Sequence, residues 1–229
     1  MNIAILILLS LAATAGAWLF LAFWSPKQEQ ESAETTAKAP VRNALRPTTK
    51  RLSFLALMFV GLCGMSILLE RVYMNNTLLH NAKMIILLAV LFIAANTDAR
   101  KRLIPNKLIL IGLVLRVVIW VIELISVPDE FLKIVKNDLY ACLLVVMFFV
   151  VGVLLVKGGI GMGDIKLMLI MCLFQGFYGV VSSLFCSLFV AFVYAIIVLL
   201  LRKKTKKDSV AFAPAILLGT ALSIFLTGM

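Results

Sequence analysis

Residues 167–201 read LMLIMCLFQGFYGVVSSLFCSLFVAFVYAIIVLLL, 35 consecutive positions without a charged side chain. A helix crosses the hydrocarbon core of a bilayer with about 20 apolar residues. The run is too long for one ordinary crossing. Its only interruption is Gln175-Gly176-Phe177-Tyr178-Gly179, where paired glycines favour a turn. As one helix it would carry Arg202, Lys203, Lys204, Lys206 and Lys207 to the outside, against the tendency of basic residues to remain in the cytoplasm. It is therefore read as two crossings joined by a tight external turn, the first starting near Gly161.

The rest of the chain has the same character. Of its 229 residues 63% are hydrophobic and 14% charged, against about 45–50% and about 25% in an ordinary soluble domain. A soluble fold is excluded. Further apolar runs at 1–24, 52–69, 84–97, 108–125, 139–156 and 210–227 predict an all-α polytopic membrane protein of about eight transmembrane helices. The first run has no Lys or Arg in front of it and is longer than the core of a signal peptide. It is read as a retained helix.

The net charge of +11 does not point to nucleic acid, because the bases fall in short loops and no aromatic residues are interleaved with them. Placing 25–51, 98–107, 157–166 and 202–208 on one side of the membrane collects 17 of the 22 Lys and Arg. That side is expected to be cytoplasmic, which leaves both termini external. Residues 25–51, rich in Gln, Glu, Ser, Thr and Ala, cannot bury a core; their basic second half suits an anionic lipid surface. The four cysteines lie in apolar stretches without a CxxC pair and His80 is the only histidine, so no metal site, disulfide framework or cofactor is expected.

Of the eleven acids, eight fall in predicted loops, Asp138 among them, and Glu123 lies near an external helix end. Asp98 and Asp164 stand at cytoplasmic ends of spans, where an ionisable group beside apolar helix is a candidate functional residue. Asp98 precedes Arg100-Lys101-Arg102-Leu103-Ile104-Pro105-Asn106; Asp164 follows Gly158-Gly159-Ile160-Gly161-Met162-Gly163. The glycines permit positive φ and close backbone approach, and an acid in the first turn of a helix is favoured by the helix dipole. Two carboxylates around one water hold a single proton between them near neutral pH, because like charges and partial desolvation disfavour double ionisation. Such a pair activates water with one member and protonates a leaving group with the other, the roles belonging to the pair. A proton relay in a transporter is the alternative use of two such aspartates.

Three elements in order, Asp98 with Ile104-Pro105-Asn106, then Gly161-Met162-Gly163-Asp164-Ile165-Lys166, then Phe212-Ala213-Pro214-Ala215-Ile216-Leu217-Leu218-Gly219, resemble the type IV prepilin peptidases, a family of GxGD membrane aspartic proteases. The resemblance covers about residues 84–222. It implies a six-helix catalytic core at 84–229 behind two helices at 1–83, located in the inner (plasma) membrane. It also implies removal, at the cytoplasmic face, of the basic leader of a prepilin or pseudopilin, just before its hydrophobic helix. By position Asp98 and Asp164 take the two catalytic places, with Gly161, Gly163, Lys166, Pro105 and Asn106 supporting the active-site loops. Larger members carry two CxxC pairs in the loop after the first helix and also methylate the product; here residues 25–51 have no cysteine, which implies a peptidase without that second activity.

Overall fold

A computed structural model describes residues 2–23, 49–155, 161–200 and 212–228. Most of the polar loop, the glycines before Gly161, the basic cluster at 202–207 and Asp208 lie outside them. Among the described residues the chain is helical without strands: α1 (Asn2–Phe23), α2 (Thr49–Val72), α3 (Leu78–Lys101), α4 (Asn106–Ser126), α5 (Pro128–Leu155), α6 (Met162–Leu200) and α7 (Ala213–Thr227). Helices α1 to α6 are long and apolar enough to cross a membrane, and the chain is a multi-pass membrane protein.

Helix α3 is the centre of the bundle. Its spanning part is 61% buried, against 17–28% for the other long helices, and it touches α1, α2, α4, α6 and α7. The sequence explains this, because Met84, Ile85, Leu87, Leu88, Leu91, Ala94 and Ala95 place apolar side chains on every face and all are buried. A helix that is apolar all round is surrounded by protein or lipid. Thr77 caps its start by accepting the His80 N–H at 3.2 Å. Its end is set by Arg102, a non-glycine residue in the left-handed region (φ 51°), whose N–H returns to the Asp98 carbonyl at 2.8 Å.

The run quoted at the outset forms most of α6, and it is broken where expected. Gly176 has φ 68° and ψ −170°, a conformation open to glycine and costly for other residues. The chain reverses there. Asp164 shares a cavity with Asp98 at the C-terminal end of α3, and Tyr194, on the far side of the break, lies beside Ala99 and Arg102 at that same end. The seven helices thus comprise eight helical segments, with 162–175 and 177–200 antiparallel.

Helix α7 runs along the second of these segments. Ser223 Oγ lies 2.9 Å from Ser182 Oγ, and Ser187 Oγ donates to the Ile216 carbonyl at 3.4 Å. The outer end of α7 is tied to the α2–α3 turn. Tyr73 Oη donates to the Phe225 carbonyl at 2.8 Å and Asn76 Nδ2 to the Gly228 carbonyl at 2.9 Å, with His80 Nε2 3.0 Å from the same oxygen.

Two expected loops are shorter than read. Helix α5 starts at Pro128 instead of 139, leaving Val127 alone between α4 and α5. Proline is well suited to a first helical position, and Asp129 and Glu130 follow in the first turn, where acids favour the helix dipole. Likewise α3 starts at Leu78 and not at 84. Asp138 accordingly lies inside α5 rather than in a loop.

The sequence expectation of eight crossings, with the basic loops in the cytoplasm, predicts that both ends of the chain are external. A fluorescent protein fused after Met229, exported unfolded through the membrane, should therefore be dark, while a periplasmically active phosphatase at the same place should be active. The opposite pair of signals would overturn the orientation.

Candidate active site

Three chain segments from distant parts of the sequence converge at the C-terminal end of α3. The first is the end of α3 itself with the turn to α4, carrying Asp98, Arg102, Leu103, Ile104 and Asn106. The second is the start of α6, with Gly161, Met162, Gly163, Asp164 and Lys166. Together they line a cavity of about 420 Å³. Of the expected residues, Asp98, Asp164, Gly161, Gly163, Lys166 and Asn106 all line it; Pro105 is buried immediately beside it, at the N-cap of α4.

Asp98 is only 7% exposed. Its Oδ2 accepts the N–H of Ala213 at 3.0 Å, which brings in the third segment, the start of α7. The first N–H groups of a helix have no partner within it and concentrate positive potential. Pro214, in the first turn of α7, lacks an N–H that would have no intrahelical partner there. Asp98 thus receives a hydrogen bond from a residue 115 positions away. Next to it, buried Thr97 satisfies its hydroxyl within α3, on the Ile93 and Ala94 carbonyls.

Asp164 sits half-buried in the first turn of α6, as its place in the sequence implied. Of the two reasons expected for its glycines, close approach and positive φ, Gly161 and Gly163 use the first. Positive φ among described glycines occurs only at Gly176 and Gly228, so Gly161 and Gly163 provide room instead. A Cβ at Gly161 would lie 3.0 Å from Asp164 Oδ2, and one at Gly163 would lie 3.3 Å from the Ile104 Cβ. The first vacancy lets the carboxylate take its position; the second lets the helix carrying Asp164 close on the turn that follows Asp98. Lys166 then joins the two sides, donating from Nζ to Asn106 Oδ1 at 3.0 Å.

Gly161→Ala is predicted to lower turnover about tenfold to a hundredfold, since displacing a reacting group by about 1 Å costs up to about two orders of magnitude. Expression and melting should stay near wild type, because Gly161 is exposed. Full activity in this variant would mean that the contact with Asp164 has no consequence.

Sequence reading missed two features. One is the Ala213 N–H on Asp98, for which the Phe212-x-Pro214 start of the last helix was the available signal. The other is a buried ionic cluster in the outer half of the bundle. Arg116, Glu123 and Asp138 are each no more than 4% exposed, so Asp98 and Asp164 are not the only acids enclosed by helices. Arg116, Trp120 and Glu123 follow one another at the i, i+4, i+7 spacing of one helix face, which marks that face as polar.

The profile of the type IV leader peptidase family matches residues 85–196. No curated protein and no solved structure matches the chain. The matched stretch contains both aspartates and the Gly161–Lys166 motif but ends before α7, and it lends no support to a transporter. Both acidic motifs lie inside the match and their side chains line one cavity, so it is the part of the chain that builds the site, residues 85–196, that is similar to the type IV leader peptidase family.

Proposed function

We propose that the protein is an aspartic endopeptidase of the inner membrane that removes the leader of prepilin-like proteins at the cytoplasmic face. Asp98 and Asp164 are the proposed catalytic residues. The observation that carries this reading is the single cavity they line. In the mechanism, the pair holds one proton and a water. One carboxylate takes a proton from the water as it attacks the peptide carbonyl, and the other protonates the departing amine. The two carboxylates act as a unit, and no role is assigned to one alone.

The surroundings fit this chemistry. The Ala213 N–H engages one oxygen of Asp98 and leaves the other lone pairs of the carboxylate for the water. The Lys166–Asn106 bond holds the Asp164 segment against the turn after Asp98, so the carboxylates do not need to be brought together at the moment of reaction. In this reading residues 84–229 are the catalytic core and 1–83 an addition to it. The inner face of the enzyme is basic, as is the leader it would take, and acidic lipid headgroups between them resolve the repulsion.

The test is coexpression with candidate prepilins from the same genome. Leader removal appears as a faster-migrating band, and the new N-terminus identifies the cleaved bond. Absence of cleavage across all candidates, with the enzyme inserted in the membrane, would overturn the proposal.

A further inference from the structure

Where a helix breaks, backbone groups lose their intrahelical partners, and a neighbouring side chain can supply one. At Gly176 that partner comes from α5. Asn137 Oδ1 accepts the Phe177 N–H at 3.4 Å, a long bond. A Cβ at Gly176 would lie 2.1 Å from Asn137 Nδ2, so the amide occupies the space that glycine leaves.

The residue after Asn137 anchors this contact. Asp138, 1% exposed, accepts hydrogen bonds from the Arg116 guanidinium and, at 3.0 Å, from Trp120 Nε1. The Arg116 guanidinium also lies over Phe174, 5.8 Å from the ring centre and two residues before the break. It stands 3.2 Å from Glu123, which pairs with Lys83 of α3 at 3.4 Å. Two cations and two anions balance, as charges withdrawn from water must. A polar chain therefore runs from α3 through α4 and α5 to both sides of the Gly176 turn.

We infer that Asn137, held by the Asp138–Arg116 pair, is a positioning residue that sets the register of the 162–175 helix and thereby the place of Asp164. The inference rests on the proposed role of Asp164. The distance is mechanical: Asp164 precedes Gly176 by 12 residues, about 18 Å of α-helix, and a slip of one residue moves it about 1.5 Å and turns it about 100°. Displacement of that size at a reacting group costs about a hundredfold. Asn137 touches no part of the catalytic cavity, so its effect travels through the helix.

The test uses the full-length enzyme in lipid nanodiscs and compares wild type with Asn137→Leu, which removes the acceptor, and Asn137→Asp, which keeps it. Cleavage of a prepilin found in the coexpression screen gives kcat and KM. In separate preparations, with the native cysteines replaced, spin labels at Arg100→Cys and Met162→Cys report the spacing between the ends of α3 and α6. Asn137→Leu should lower kcat at least tenfold with KM within about twofold and broaden the label distance. Asn137→Asp should restore both. Should Asn137→Leu fail to accumulate, Asn137→Ser, which shortens the reach, should show smaller changes of the same kind.

Unchanged kcat, or a loss of kcat with an unchanged label distance, overturns the inference. So does an altered distance with full activity. If the wild type cleaves no prepilin, the proposed function fails, and the label distances alone decide whether Asn137 positions the helix.

Discussion

Asp98→Asn and Asp164→Asn should each reduce leader cleavage about a thousandfold or more, while the protein inserts and accumulates as the wild type does. Asparagine keeps the shape of aspartate, and at position 98 its carbonyl oxygen still accepts the Ala213 N–H, so the end of α3 and the start of α7 stay joined. What each variant loses is the group that takes or gives a proton, a contribution of about 10²–10⁴ in rate. In the proposed mechanism the two carboxylates form one proton-holding unit, so the second substitution has little left to remove, and the double variant should be no worse than either single one. Asp208→Asn, at an acid outside the pair that the sequence reading places on the same side of the membrane, should cleave normally. The measurement is leader removal at matched membrane levels of each variant. Substantial activity in either single variant would take that aspartate out of the mechanism and end the two-carboxylate account.

The second large effect concerns stability. A Cβ at Gly219 would lie 2.3 Å from both the Ser187 backbone nitrogen and its Cα. Backbone at that distance cannot rotate away, so Gly219→Ala has to force α7 off the 177–200 segment. Overpacking of this kind costs about 1–3 kcal/mol and sometimes more. Small residues that let backbones approach are a common basis of helix association in membranes. The displacement also reaches the chemistry, since the same helix begins with the Ala213 N–H on Asp98. We expect Gly219→Ala to melt several degrees lower in detergent and to lose most of its activity, whereas Leu218→Ala, at a position 58% exposed, should change either property little. Wild-type melting and cleavage in Gly219→Ala would show that α7 has room to spare.

The Gly219 contact accounts for part of a motif that was legible without explanation. In the Phe212-x-Pro214 to Gly219 stretch, the proline suits the helix start, Ala213 supplies the N–H for Asp98 and the glycine admits close packing. The order of the residues was visible; the partners were not. Asp164 at a helix start and the break within 167–201 were legible because both are local. An acid after glycines marks a helix N-terminus, and a glycine pair interrupts an apolar run, whatever lies around them.

Asp138 illustrates the opposite case. Near Asp129, Glu130, Lys133 and Lys136 it reads as part of a solvated loop. In the fold α5 turns this residue inward to Arg116, because Pro128 starts the helix eleven residues earlier than hydropathy suggests. Hydropathy averages over all faces of a helix and so passes over a single polar face directed at protein.

Membrane character and the helical class were determined by the sequence alone, since they follow from run length and composition summed along the chain. Which side chains meet was decided by the tertiary structure. Asp98 finds Ala213 across 115 residues, Lys166 finds Asn106 across 60 and Asn137 finds Phe177 across 40. Such pairings depend on the crossing, depth and rotation of helices packed against α3, and a local pattern carries no information about how far a helix is turned toward a neighbour it has yet to meet.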